Sequence, residues 1–274
     1  MPLRRLARVL MWLVGVPLIA YLLVLAYLYA FQRQLLYFPD RSRPQLGLLA
    51  QLGAREVSLT TADGLSLLSW YLAPREGRPV IAYFHGNGGN IGDRADRMQR
   101  FGREGYGVLL AEYRGYGGNP GAPTETGLYD DASAAGDFLR REGIAADRLV
   151  VYGESLGSGV AVHLAATQPI AGLILESPFT SVGALAQYHY PYVPAALLIW
   201  DRFDSLARIG EVKAPILVLH GGRDRIVPDR FSRALLAAAP EPKEDWFVPD
   251  AGHEDLAGLG TLDQVVSFIE RRLH

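Results

Sequence analysis

An apolar, β-branched stretch, Leu149-Val150-Val151-Tyr152, runs straight into Gly153-Glu154-Ser155-Leu156-Gly157 and on into Val160-Ala161-Val162-His163-Leu164-Ala165-Ala166. A strand, a Gly-x-Ser-x-Gly and a helix in that order leave few folds open. The pentapeptide recurs by chance in glycine-rich chains, and here its setting decides: it stands at a strand-to-helix turn, as a nucleophile elbow requires. Such a turn needs small residues around it. The serine between them takes a strained backbone that exposes its hydroxyl above the first turn of the helix, whose N–H groups and dipole favour a developing negative charge.

The rest of the chain fits that setting. Apolar runs without alternation, Val80 to Phe84, Val108 to Ala111, Leu149 to Tyr152, Leu173 to Leu175 and Ile216 to Leu219, are separated by helix-like segments. This is the pattern of a parallel sheet covered on both faces. Helices are predicted near Asp93 to Arg103, Thr124 to Arg141, Leu156 to Thr167, Asp229 to Ala239 and Thr261 to Arg272. Before the first buried strand, Val57 and Leu59 alternate with polar residues, Ala62-Asp63-Gly64 turns, and Leu65 to Tyr71 runs back, which predicts an antiparallel hairpin. The fold class is therefore α/β, with a mostly parallel central sheet opened by that hairpin.

The N-terminus is of another kind. After Arg4, Arg5 and Arg8, no charged residue occurs from Val9 to Phe31, a run of about 34 Å as a helix against a hydrocarbon core of about 30 Å. We read residues 1–32 as a tail and a transmembrane anchor. A signal peptide is the alternative, disfavoured because Leu28 before Ala30 breaks the small-x-small cleavage pattern. Arg33, Arg41 and Arg43 nearly balance the arginines before the span. The tail is expected in the cytoplasm and the domain on the non-cytoplasmic side. Residues 33–53 form a connector whose Leu35-Leu36-Tyr37-Phe38-Pro39 either dips into the membrane interface or packs on the domain, and residues 54–274 form that domain. Within it the alternation lapses over 179–204, which reads as a small cap insertion.

With 274 residues, 49% hydrophobic and 20% charged, the chain can bury one full core. A net charge of −2 without a basic stripe excludes a nucleic-acid partner. No cysteine is present, so there is neither a disulfide nor a thiolate nucleophile. The Gly86-rich loop after Val80 to Phe84 is not a phosphate cradle, because Ile91 stands where a Gly-x-Gly-x-x-Gly needs glycine and no Gly-Lys-Ser/Thr occurs. No metal cluster and no cofactor is expected.

A serine nucleophile needs a base and an acid to orient it, both on loops after strand carboxyl ends. Asp224 follows Ile216-Leu217-Val218-Leu219, and His253 follows Trp246-Phe247-Val248. Ser155, Asp224, His253 is the chain order nucleophile, acid, base. Asp250 and Asp255 flank His253 as rival acids, but only Asp224 is expected to follow a strand of its own. His163 reads as a packed core residue, His85 and His220 as turn residues, and Glu154 and Glu176 as capping or pairing groups.

On these residues the domain resembles the α/β-hydrolases. His85-Gly86-Asn87-Gly88-Gly89-Asn90, Tyr113-Arg114-Gly115-Tyr116-Gly117, Gly153 to Gly157 and Glu176-Ser177-Pro178-Phe179 are similar to a single-pass, membrane-anchored serine-hydrolase branch of bacteria and eukaryotes. The resemblance implies an oxyanion hole from the backbone N–H groups of Asn87 and Leu156. It implies a hydrolase, with some eukaryotic relatives acting on lipids or acyl-thioesters. The expected activity is hydrolysis of an ester or thioester of an apolar acyl substrate, small-molecule or lipid. A serine peptidase and a catalytically silent binding protein are the alternatives. Phe179, Tyr188, Tyr190 and Tyr192 are the expected acyl-binding residues of the cap.

Overall fold

The computed structural model describes residues 2–273, with side chains from Met11 onward. The side chains of Arg4, Arg5 and Arg8 therefore lie outside the described residues. The chain begins with one long helix, α1 (Pro2–Leu36), whose Met11–Leu36 portion is long and apolar enough to cross a membrane, its most apolar 18 residues having a mean hydropathy of 2.2 and none of them buried. It runs five residues past the uncharged segment, since Gln32, Arg33, Gln34 and the leucines that follow are good helix formers, and Arg33 pairs with Asp201.

The short strand β1 (Phe38–Pro39) follows, then the hairpin β2 (Arg55–Thr60) and β3 (Ser66–Leu72). Next come β4 (Val80–Phe84), the two-residue β5 (Gly88–Gly89), α2 (Ala95–Arg103), β6 (Gly107–Ala111) and α3 (Glu125–Arg141). The second half holds β7 (Leu149–Glu154), α4 (Leu156–Thr167), β8 (Gly172–Glu176), then short α5 (Val182–His189), α6 (Ala195–Leu198) and α7 (Ser205–Arg208). The chain closes with β9 (Ile216–Gly221), α8 (Asp229–Ala238), β10 (Lys243–Val248) and α9 (Thr261–Arg272).

The main sheet has eight strands in the order β10-β9-β8-β7-β4-β6-β3-β2. Pairing is parallel from β10 to β6 and antiparallel only at β3 and β2, the hairpin end. Alternate residues of one strand serve two cores. Val80, Ala82 and Phe84 of β4 pack with α3, α4 and α8, while Ile81 and Tyr83 pack with α2 and α9. Central strands covered on both sides carry no polar face, which is why their sequences do not alternate.

The connector packs on the domain. Phe38 and Pro39 pair in parallel with Gly88 and Gly89, and Tyr37 is buried.

Candidate active site

Ser155 sits between β7 and α4 with φ 50° and ψ −117°, a conformation that a non-glycine residue keeps only when its surroundings enforce it. Its N–H donates to the carbonyl of Glu176 on β8 at 2.8 Å, tying the turn to the sheet. Gly157 is there for want of room: a Cβ would strike the carbonyl oxygens of Phe84 and His85.

The structure brings Ser155, Asp224 and His253 together from three loops at one edge of the sheet. His253 Nε2 lies 3.0 Å from Ser155 Oγ, and His253 Nδ1 lies 2.6 Å from Asp224 Oδ2. Asp224 has a buried side chain whose other oxygen accepts from the N–H groups of Ile226, 2.9 Å, and Val227, 2.8 Å. A carboxylate held this way can neither rotate nor leave, so Nδ1 keeps its proton and Nε2 is free to accept one. Asp250 also follows a strand, β10, but pairs with Arg223, and Asp255 accepts from the N–H of Gly252 at 2.7 Å. Neither bonds His253.

Buried charges set the electrostatics. Burial pulls the His253 imidazolium down, but the hydrogen bond and charge of Asp224, joined by Glu154 and Glu176, outweigh it and raise His253 above its ordinary value. Burial pushes Asp224 up, and His253 together with the Val227 N–H brings it below the usual carboxylate range. Glu154, next to Ser155, is gripped by Arg94 at 2.8 and 2.7 Å and accepts from the Tyr83 hydroxyl; against the cost of burial, Arg94 and Arg97 bring it down to about 2. Glu176 is gripped in turn by Arg97 at 2.7 and 3.0 Å and accepts from Tyr152 Oη. The capping-or-pairing reading of the two glutamates thus becomes two Arg–Glu pairs beside Ser155, Arg97–Glu176 buried and Arg94–Glu154 half-buried. Arg94 and Arg97 were missed in the sequence; Arg94 caps the start of α2 and Arg97 lies in its first turn, and nothing local names partners that are 60 and 79 residues away.

The loop after β4 lies over the serine. A side chain at Gly86 would meet Ser155 Cβ at 3.5 Å. The carbonyl of Asn87 accepts from the Phe38 N–H, 2.9 Å, and from Tyr116 Oη, 2.8 Å, while its Nδ2 donates to the Leu36 carbonyl at 2.7 Å. Among the described residues the Asn87 N–H has no acceptor, and Leu156 opens α4 without a side-chain cap. Both donors are unspent. His85 is buried between Glu112, 2.9 Å, and the Gly86 carbonyl, 2.8 Å, holding the loop. His220 is buried 3.4 Å from Asp224 and donates to the Val227 carbonyl, and His163 stacks on Tyr129 away from the site.

The aromatic cap residues are placed differently from expectation. The pocket around Ser155 and His253, about 460 Å³, is lined by Gly86 to Gly89, Arg94, Arg97, Glu154, Glu176, Ile226 and Glu254, and by none of Phe179, Tyr188, Tyr190 or Tyr192. Phe179 is buried beneath the elbow helix against Gly159. Tyr188 stacks under Arg230, Tyr190 turns toward α1, and the Tyr192 carbonyl accepts from Tyr21 Oη. The reason is tertiary: α1 lies along the cap and draws its apolar face away from the polar pocket. Among the described residues there is no cluster of metal-ligating groups.

Comparison with known proteins gives the family and the fold. The model of the family described as serine aminopeptidase S33 matches residues 75–206. The chain is 40% identical over 252 residues to protein Rv2307c of Mycobacterium tuberculosis, covering 90% of each. It is 31% identical to the alpha/beta hydrolase domain-containing protein WAV2 of Arabidopsis thaliana, over 84% of this chain and 83% of that one. The Pyrococcus furiosus esterase Pf2001 superposes with a TM-score of 0.69 at 21% identity, over 86% of this chain and all of the esterase.

Proposed function

The chain belongs to the α/β-hydrolase family and is a hydrolase, and from that premise we propose that it is a membrane-anchored serine hydrolase cleaving a carboxylic ester or thioester of an amphiphilic acyl substrate through an acyl-enzyme on Ser155. The observation that carries the reading is the continuous line Asp224, His253, Ser155 at 2.6 and 3.0 Å. His253 Nε2 takes the Ser155 proton as Oγ attacks the acyl carbonyl. Asp224 orients the ring and stabilises the imidazolium. The negative charge on the carbonyl oxygen is met by the N–H groups of Asn87 and Leu156, each worth about 3 to 4 kcal/mol to the transition state. His253 then gives its proton to the leaving group, and water, deprotonated by the same nitrogen, releases the acid and restores Ser155.

An ester or thioester is preferred to a peptide, although the preference does not rest on charge: Glu154 and Glu176 beside Ser155 are held by Arg94 and Arg97, while Asp96 and Glu254 on the pocket lining remain available to a substrate amine. A polar pocket at the serine and an apolar α1–cap face beside it suit a substrate with a polar head and an apolar chain. The test is hydrolysis of p-nitrophenyl esters of graded acyl length by the detergent-solubilised protein, beside Ser155→Ala and with fluorophosphonate labelling of both. The wild type should turn over and label while the variant does neither, with kcat down at least 10⁴-fold. Equal residual rates in the two proteins would sink the acyl-enzyme.

A further inference from the structure

From Ser177 to Trp200 the chain has no Asp, Glu, Lys or Arg. Within it Tyr192 and Leu197 are 87% and 78% exposed, the highest of any large apolar side chain among the described residues. A water-facing lid would carry such a surface at a cost. The contacts with α1 account for it. Tyr21 Oη donates to the Tyr192 carbonyl at 2.7 Å, Trp200 N–H donates to Gln32 Oε1 at 2.6 Å, and Arg33 grips Asp201. Tyr21 and Arg33 are separated by about 18 Å of helix, so the cap runs along α1 for that distance.

The register of α1 in a bilayer follows from its charges. Spanning a core of about 30 Å takes about 20 residues of the uncharged segment Val9 to Phe31. Even when the core begins at Val9 it ends at Leu28, seven residues or about 10 Å beyond Tyr21. Helical side chains lean toward the N-terminus, which puts the Tyr21 hydroxyl deeper still, away from the domain. Any register that lets α1 span places the Tyr192 loop inside the leaflet on the domain side.

Much of the backbone there is satisfied within the protein, as lipid demands, although among the described residues the Tyr192 N–H has no protein acceptor. Every N–H from Val193 to Trp200 donates to a protein acceptor, except that of Pro194, which has none. The Tyr192 carbonyl is covered by Tyr21. Between cap and helix lies an apolar groove of about 230 Å³, walled by Leu28, Leu35 and Leu36 of α1 and by Leu185, Ala186 and Val193 of the cap. His189, which lines the groove, donates from Nε2 to the Ile226 carbonyl at 2.8 Å, and Ile226 lines the pocket of Ser155, so one hydrogen bond joins the two linings.

We propose that the cap is seated in the bilayer leaflet beside α1 and that the groove between them takes one acyl chain of a bilayer lipid, so that the scissile ester reaches Ser155 from the leaflet. This rests on the anchoring and hydrolysis proposed above and adds the substrate's source and its seat. The absence of cysteine allows single-site labelling. Tyr192→Cys, Leu18→Cys on α1 and Arg103→Cys on the exposed end of α2 are each labelled with a nitrobenzoxadiazole dye in phosphatidylcholine vesicles containing doxyl-phosphatidylcholine. The labels at 18 and 192 should be quenched at least threefold more than that at 103. A label at 192 quenched no more than that at 103, with 18 quenched, overturns the seating of the cap and leaves the anchor standing. Failure of quenching at 18 overturns the anchor itself and this inference with it.

The groove is tested in the same vesicles with phosphatidylcholine bearing a diazirine on its acyl chain. Photolabelling should fall on residues 182–199 and drop at least fivefold in Ala186→Trp and, independently, in Val193→Trp, with labelling of 11–31 as the internal reference. Unchanged labelling of 182–199 in both variants overturns the acyl seat.

Discussion

In the mechanism we propose, His253 carries the pH dependence. It must be neutral at Nε2 to take the serine proton, and Asp224, Glu154 and Glu176 raise it above the ordinary histidine value. kcat/KM should therefore rise with pH along an acid limb whose midpoint lies above the usual histidine range of about 6.5. In Glu154→Gln one raising charge is gone and Arg94 is left uncompensated, so the midpoint should move to lower pH; a pH–rate profile that does not move removes the electrostatic account. Asp224→Asn keeps the shape but offers an N–H donor to Nδ1 or forces the wrong tautomer, and kcat should fall by about 10⁴ while the melting temperature changes far less. Ser155, Asp224 and His253 were legible as a set because chain order and strand-end position are local signals. The arginines that hold Glu154 and Glu176 were not, because their partners are set by how α2 lies on β7 and β8.

The elbow acts as an element rather than as a residue. β7 delivers Ser155, the bond from its N–H to Glu176 pins the turn to β8, and α4 starts so close to β4 that only glycine fits at 157. Gly157→Ala should push the Phe84–His85 carbonyls, and with them the Asn87 loop, out of place at a cost on the order of 1 to 3 kcal/mol. The expected outcome is a lower melting temperature and a loss of fluorophosphonate labelling together; a fully labelled, stable variant would show that the contact can relax. The connector belongs to the same unit, since Leu36 and Phe38 hold Asn87 by its side chain and its carbonyl.

At the scale of the whole molecule, α1, the cap and the α/β-hydrolase domain are tied at one joint. Asp201 is buried, accepts from both arms of Arg33 and from the Glu125 N–H, and stands where the cap returns to the domain. Asp201→Ala leaves α1 held to the cap by Gln32, Tyr21 and Trp200. Limited proteolysis should then cut within 190–202 faster than in the wild type, with a melting temperature lower by a few degrees. An unchanged cleavage rate would mean that the apolar face alone holds the cap.

Strand and helix type, the hairpin, the elbow and the order Ser155, Asp224, His253 were all determined by sequence, because each rests on periodicity, turn chemistry or spacing over a few residues. The fate of Leu35 to Pro39, the pairing of Arg94 and Arg97, and the direction in which Tyr188, Tyr190 and Tyr192 face were decided only by the tertiary structure. An aromatic, uncharged segment reads the same whether it covers a catalytic pocket or lies along a helix. Which apolar surface it meets depends on contacts across about 170 residues of chain, where Tyr21 finds Tyr192 and Arg33 finds Asp201.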